Sequence, residues 1–137
     1  MIYAVIDTNV LVSALLSRFS DAATVQIVAA ISEKAICPLY NEEILAEYEE
    51  VLLRDKFHFP ADSIRTILGK VVEAGLNTRR KHVAEYFPDP KDVVFYEVAM
   101  SKEDAYLVTG NKKHFPSRPI VVTPAEMLDI MQREGIL

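Results

Sequence analysis

The chain opens on a short apolar run, Ile2 to Ile6, of the length of a buried strand. It ends in an acid, a hydroxyl and an amide: Asp7, Thr8 and Asn9. Apolar positions resume at Val10, Leu11, Val12, Ala14, Leu15 and Leu16, which predicts a first short helix over Val10–Leu16. A second helix is expected over Ala22–Ser32, with Ala23, Ile27, Ala30 and Ile31 as its apolar positions, then a short strand over Ala35–Pro38. Asn41–Leu53 reads as an amphipathic helix, with Ile44, Leu45, Tyr48, Val51 and Leu52 on one stripe. Lys56–Pro60 reads as a loop, and Asp62–Ala74 as a helix stopped by Gly75. Leu76–Val83 is ambiguous and has room for a short strand. Asp89–Ser101 follows as a helix, Ala105–Thr109 as a buried strand ending in Gly110-Asn111, and Ile120–Val122 as the last short strand. Thr123 then caps a final helix, with Pro124 at its first position and Glu126 three residues after the cap. Strands alternating with helices imply a parallel sheet covered on both faces. No repeat or linker interrupts the pattern, so residues 1–137 are expected to form one domain.

Composition narrows this picture only a little. Hydrophobic residues make up 50% of the chain, enough for a sizeable core, and charged residues 26%, ordinary for a globular protein. The formal net charge of -5 excludes binding to a polyanion by overall attraction. A nucleic-acid role needs a local basic patch or metal ions between phosphates and carboxylates. Cys37 is the single cysteine, which excludes an internal disulfide and fits a reducing compartment. No apolar run is long enough to span a membrane, and the expectation is a soluble, cytoplasmic protein.

The chemistry concentrates in a few polar positions. In open α/β sheets, ligands bind at the carboxyl ends of the strands. Asp7 stands at the end of the first strand, and Asn111 at the equivalent place after the strand Ala105–Thr109. In the Asn41–Leu53 helix, Glu42, Glu43 and Glu50 point to solvent, while Glu47 and Glu49 border the apolar stripe on opposite edges. Spacing does not choose between those two. In the Asp89–Ser101 helix, Asp89 fits an N-cap and Pro90 the first position. Asp92 shares a stripe with Phe95 and Ala99 and so borders the buried face. An acid at that third position can equally serve the helix dipole and the cap. Clustered carboxylates repel one another, and the hard cations Mg²⁺ and Mn²⁺ relieve that repulsion through oxygen ligands.

Four segments in order resemble the PIN (PilT N-terminus) domain family: Asp7-Thr8-Asn9 after an apolar strand, Glu-Ile-Leu-Ala-Glu at 43–47, Asp-Pro-Lys-Asp-Val-Val-Phe at 89–95 and Tyr-Leu-Val-Thr-Gly-Asn at 106–111. The ending, Ile-Val-Val-Thr-Pro-Ala-Glu-Met-Leu at 120–128, is similar to the VapC-like branch of toxins from toxin–antitoxin pairs. The resemblance implies a three-layer α/β/α sandwich around a central parallel sheet, and Mg²⁺- or Mn²⁺-dependent hydrolysis of RNA phosphodiester bonds. It implies Asp7, Glu47 and Asp92 as the catalytic, metal-binding acids, and in-line attack of an activated water on phosphorus, leaving a 3′-hydroxyl and a 5′-phosphate. Where the family often carries Gly-Asp-Lys-Asp, this chain has Gly110-Asn111-Lys112-Lys113. Asn111 replaces the fourth acid, and its carbonyl can assist without bringing charge.

Around this set, Thr8, Asn9 and Thr109 are expected to hydrogen-bond the carboxylates and fix their rotamers. Thr8 and Asn9 also suit a simple helix cap, and Thr109 the last position of a strand. Lys112 and Lys113, which adjoin Asn111, are candidates for RNA phosphate contacts. The densest basic run, Arg79-Arg80-Lys81-His82, reads as solvated loop charge whose place the sequence does not fix. The three histidines show no zinc spacing. Tyr40, Tyr48, Phe57 and Phe59 could stack bases, with core or interface packing the better default. The expected function is that of a toxin ribonuclease with an RNA substrate, a cognate antitoxin and a homodimeric or higher assembly. Its rival is a domain that lost activity with its fourth acid and binds RNA or protein instead. Receiver-like and haloacid-dehalogenase-like readings fit poorly, because Thr8 and Asn9 stand where those sites want further acids.

Overall fold

A computed structural model describes residues 1–137. Five strands form one parallel sheet in the order β3-β2-β1-β4-β5. They are β1 (Ile2–Ile6), β2 (Ile36–Tyr40), β3 (Leu76–Asn77), β4 (Tyr106–Val108) and β5 (Val121–Val122). Six helices flank the sheet: α1 (Thr8–Leu16), α2 (Ala23–Ser32), α3 (Glu42–Leu52), α4 (Ala61–Ala74), α5 (Val93–Met100) and α6 (Pro124–Arg133). The result is the α/β/α sandwich expected from the alternation. No helix is long and apolar enough to cross a membrane.

β1 lies at the centre, where Ala4 is in register with Pro38 on one side and Tyr106 on the other. Both faces of a central parallel strand are covered, which is why this segment is a nearly unbroken apolar run rather than an alternating one. The chain first builds outward from β1 through β2 to β3, then returns to place β4 on the opposite flank of β1. The strand order therefore reverses between β1 and β4. The carboxyl ends of those two strands frame the crevice where this class of sheet binds ligands.

Helix ends follow the capping chemistry in the sequence. The Thr123 hydroxyl accepts from the Glu126 N–H while the Glu126 carboxylate accepts from the Thr123 N–H, a complete capping box, with Pro124 at the first turn. Asn41 caps α3 by accepting from the Ile44 N–H. Gly75 ends α4, but not through a left-handed turn: its backbone is extended, with φ -96° and ψ -178°. A side chain there would stand 2.5 Å from the Pro38 carbonyl oxygen and closer still to that of Val71. Glycine is required because α4 hands the chain directly onto the edge of β2.

The Asp89–Ser101 segment departs most from its expected form. It divides into a 3-10 turn over Pro90–Asp92 and the helix α5. Every residue from Val94 to Ala99 is buried, including Glu97, because α5 packs across β1, β2 and β4 and also against α3. The stripe of Asp92, Phe95 and Ala99 is thus only part of the buried surface. The ambiguous stretch after Gly75 gives the two-residue edge strand β3 and then an irregular strap.

Candidate active site

Asp7 leaves β1 in extended conformation and stands at the N-cap position of α1, yet its side chain makes no capping bond. Its backbone N–H donates to the Val108 carbonyl at 2.9 Å, which continues the β1–β4 ladder to the crevice. The carboxylate instead reaches across to the end of β4. Its Oδ2 accepts from the Thr109 hydroxyl at 2.7 Å and from the Asn9 amide at 3.2 Å. Asn9 Oδ1 accepts from the Gly110 N–H at 3.0 Å, and the Thr109 hydroxyl accepts from the Asn111 N–H, also at 3.0 Å. These four bonds latch the two strand ends together around one buried carboxylate.

Thr109 and Asn9 therefore touch Asp7, as expected of groups that fix its rotamer. Thr8 does not: its buried hydroxyl has no hydrogen-bond partner. The expected bond from Thr8 to a carboxylate is absent, and what Thr8 supplies to Asp7 is its backbone N–H.

The structure separates Glu47 from Glu49, which the helical wheel alone could not. Glu47 is half-buried and Glu49 exposed. Asp89 is the cap of the 3-10 turn, accepting from the Lys91 N–H at 2.9 Å. Asp92 sits at the N-cap position of α5 and makes no capping bond, so the capping alternative finds no support in its contacts. Its side chain keeps only 16% of its exposure, and the nearest cationic partner is His114, with Nδ1 3.8 Å from Oδ2.

Burial raises all three acids, and at Asp92 the charges of neighbouring acids add to it. Burial lifts Asp92 to about 6, with further upward pushes from the charges of Asp7, Asp89 and Glu47 and a downward one from His114. Burial also raises Asp7, against the Thr109, Thr8 and Asn9 hydrogen bonds and the His114 charge, which hold it down. Glu47 is raised mainly by burial, with Lys91 and Arg54 opposing and Glu50 and Asp89 reinforcing. Asp92 is thus the acid whose charge couples to both of the others. As the side chains stand, no three acidic, histidine or cysteine groups are close enough to hold one ion together. The donor set nonetheless fits a hard divalent cation: carboxylate oxygens only, electrostatically frustrated, at the mouth of a crevice. A cation bound among them would offset the upward push that Asp92 takes from the neighbouring acids.

Asn111 turns partly away from this cluster. Its side-chain carbonyl accepts from the Lys113 N–H at 3.3 Å and caps a 3-10 turn over Lys112–His114. Its amide lies 3.0 Å from His114 Nε2. Lys112 is already paired with Glu126 at 3.1 Å, whereas Lys113 has no acidic partner. Of the two lysines expected near phosphate, Lys113 is the free one.

Sequence reasoning missed Lys91, discernible only as the neighbour of Asp92, the contact of His114 with Asp92, and one network beside them. The basic run Arg79–His82, unplaced by the sequence, is strapped onto α5. Arg80 donates to the buried Glu97 at 2.6 Å and to Glu43 at 2.7 Å, and the Val83 N–H donates to Glu97 at 3.0 Å.

The family model described as the PIN domain matches residues 3–113. The chain belongs to the PIN domain family, whose members are generally nucleases. No curated protein and no solved structure matches it.

Proposed function

We propose that this PIN-domain chain is a divalent-metal-dependent endoribonuclease, with Asp7, Glu47 and Asp92 as its metal-binding acids. The observation that carries the reading is the frustrated carboxyl cluster at the reversal point of the sheet, where Asp92 is lifted to about 6 by burial and by three neighbouring acids. A Mg²⁺ or Mn²⁺ ion held there would supply charge neutralisation and activation of water for attack on a phosphodiester. The chain's own residues prepare that site. Thr109 and Asn9 fix the Asp7 carboxylate, and the Gly110 N–H bond to Asn9 holds the β4 loop against it. Lys91, whose charge reaches Glu47, and Lys113, whose N–H donates to Asn111, stand exposed and would supply positive charge for a polyanionic backbone. His114 stands between Asn111 and Asp92, with its Nδ1 3.8 Å from the Asp92 carboxylate.

The biological setting we infer is that of a toxin, on the resemblance of Ile120–Leu128 to that branch. Its partners would then be an RNA substrate, a cognate antitoxin that blocks the site and a second copy of the chain.

The test is cleavage of a mixed single-stranded RNA with Mn²⁺, beside chelator and Asp7→Asn arms. Both controls are expected to lose more than about 10²-fold of the rate, because the loss of a metal ligand exceeds the 10–100-fold typical of the residues that support one. Intact RNA with Mn²⁺ still raising the melting temperature would favour the binding-module reading, which the neutral Asn111 already brings into view.

A further inference from the structure

We propose that Tyr48 is the positioning residue that sets the relative placement of the three acids, an inference that rests on the metal-nuclease reading above. Tyr48 lies in α3 immediately after Glu47 and is completely buried. Its hydroxyl donates to the carbonyl oxygen of Ile6 at 2.5 Å, a bond that joins positions 42 residues apart. Ile6 is the last residue of β1, and Asp7 follows it. Its ring packs against Phe95 of α5, with centroids 6.1 Å apart and planes tilted by 47°. Phe95 lies three residues after Asp92, one helical turn along the same segment. One side chain therefore touches all three elements that carry the acids. It is one residue from Glu47, one hydrogen bond and one residue from Asp7, and one ring contact and one turn from Asp92.

The hydroxyl is the part that packing does not explain. A phenylalanine would fill nearly the same space without taking a polar group out of water, which is costly unless that group is bonded. The bond it makes falls at a particular place. The register of β1 with β2 ends at Ala4–Pro38, two residues short of Ile6, and the Tyr48 hydroxyl takes over there. The strand end that presents Asp7 is thus held to the helix that presents Glu47, not only to its neighbour strand. Acids that repel one another need such external ties, because their own electrostatics drives them apart.

The experiment is a Mn²⁺ titration of the wild-type chain, Tyr48→Phe and a core control in α6, Met131→Ala, by calorimetry and by melting-temperature shift, with RNA cleavage followed against Mn²⁺ concentration. Tyr48→Phe is expected to weaken Mn²⁺ binding about tenfold, within the 10–100-fold range for residues that orient ligands. Raising Mn²⁺ should restore part of its cleavage rate. Met131→Ala should lower the melting temperature and keep the Mn²⁺ affinity. Unchanged Mn²⁺ affinity in Tyr48→Phe, or equal weakening in both variants, overturns the positioning role while leaving the nuclease reading intact. A wild-type chain that neither binds Mn²⁺ nor cleaves RNA overturns both. If Tyr48→Phe does not fold, Phe95→Leu carries the test by loosening only the α5 side of the contact, and unchanged affinity there likewise overturns the proposal.

Discussion

Two carboxylates five residues apart on the same segment, Asp92 and Glu97, are treated in opposite ways. Glu97 is the more deeply buried, yet its pKa lies below the usual range. Burial pushes it up, and the Arg80 and Val83 hydrogen bonds with the charges of Arg80 and His82 more than reverse the push. Asp92 is raised to about 6, because burial and the neighbouring acids act together and only His114, 3.8 Å away, opposes them. Both acids lie against the same core. The difference is that Glu97 has its cation supplied by the chain, and Asp92 does not. An acid with a structural task comes with its partner folded in. On the metal-binding reading proposed above, an acid that meets a cation from solution has to wait without one, at a cost to the folded state. Glu85, held low first by the Tyr96 hydroxyl and then by Arg118, belongs with Glu97; Asp7 and Glu47 belong with Asp92.

The strongest way to break this contrast is to remove the partnered acid. Glu97→Ala leaves Arg80 with only Glu43 and strands the Val83 N–H. Removing one member of a buried pair costs about 3–5 kcal/mol, and the partial exposure of Arg80 reduces this to about 2–3 kcal/mol. For a chain of this size that is a fall in melting temperature of roughly 6–15 °C, measurable by calorimetry and urea denaturation. A loss below about 0.5 kcal/mol would show that the strap does not depend on the pair.

Removing the unpartnered acid should do the reverse. A carboxyl raised in the folded state holds its proton more tightly there than in the unfolded chain. Its favourable contribution is complete below the ordinary value of 3.8 and is lost as pH rises through about 6. Asp92→Asn, neutral at every pH, should therefore be more stable than the wild type at pH 7, by about 1–2 kcal/mol after solvent screening, and equal to it near pH 3. Denaturation curves across this window check the sign. The same variant should no longer gain stability from Mn²⁺, whereas Glu97→Ala should still gain it. An Asp92→Asn protein less stable at pH 7 would return Asp92 to the structural class.

The smallest effect sharpens the boundary between the two classes. Asn111→Asp keeps the acceptor that caps the 112–114 turn and adds a charge beside His114. Mn²⁺ affinity should rise by a few-fold, under about 1 kcal/mol. Unchanged affinity in a calorimetric titration would mean that the side chain stays committed to its turn and contributes no ligand.

The sequence by itself determined everything that depends on neighbours along the chain. The apolar run ending in Asp7, the caps at Asp89 and Thr123, and the alternation that dictates a parallel sheet are all local, so residue type and spacing suffice to read them. The candidate site was legible to the same extent: its acids stand at strand ends and helix starts, in an order that resembles the PIN family, to which the chain belongs. Tertiary structure decided the rest. Glu47 and Glu49 are equivalent on a wheel and differ only because one edge of α3 faces the crevice. Gly75 reads as a helix stop, but besides the Val71 carbonyl it is the Pro38 carbonyl, nearly forty residues earlier, that crowds out a side chain there. The run at 79–82 reads as solvated charge until Glu97 is found buried beneath it, and His114 has no role until the β4 loop brings it to Asp92. Each of these depends on a contact between residues distant in sequence, whose energy is a matter of burial and charge across the fold and leaves no periodicity in the chain.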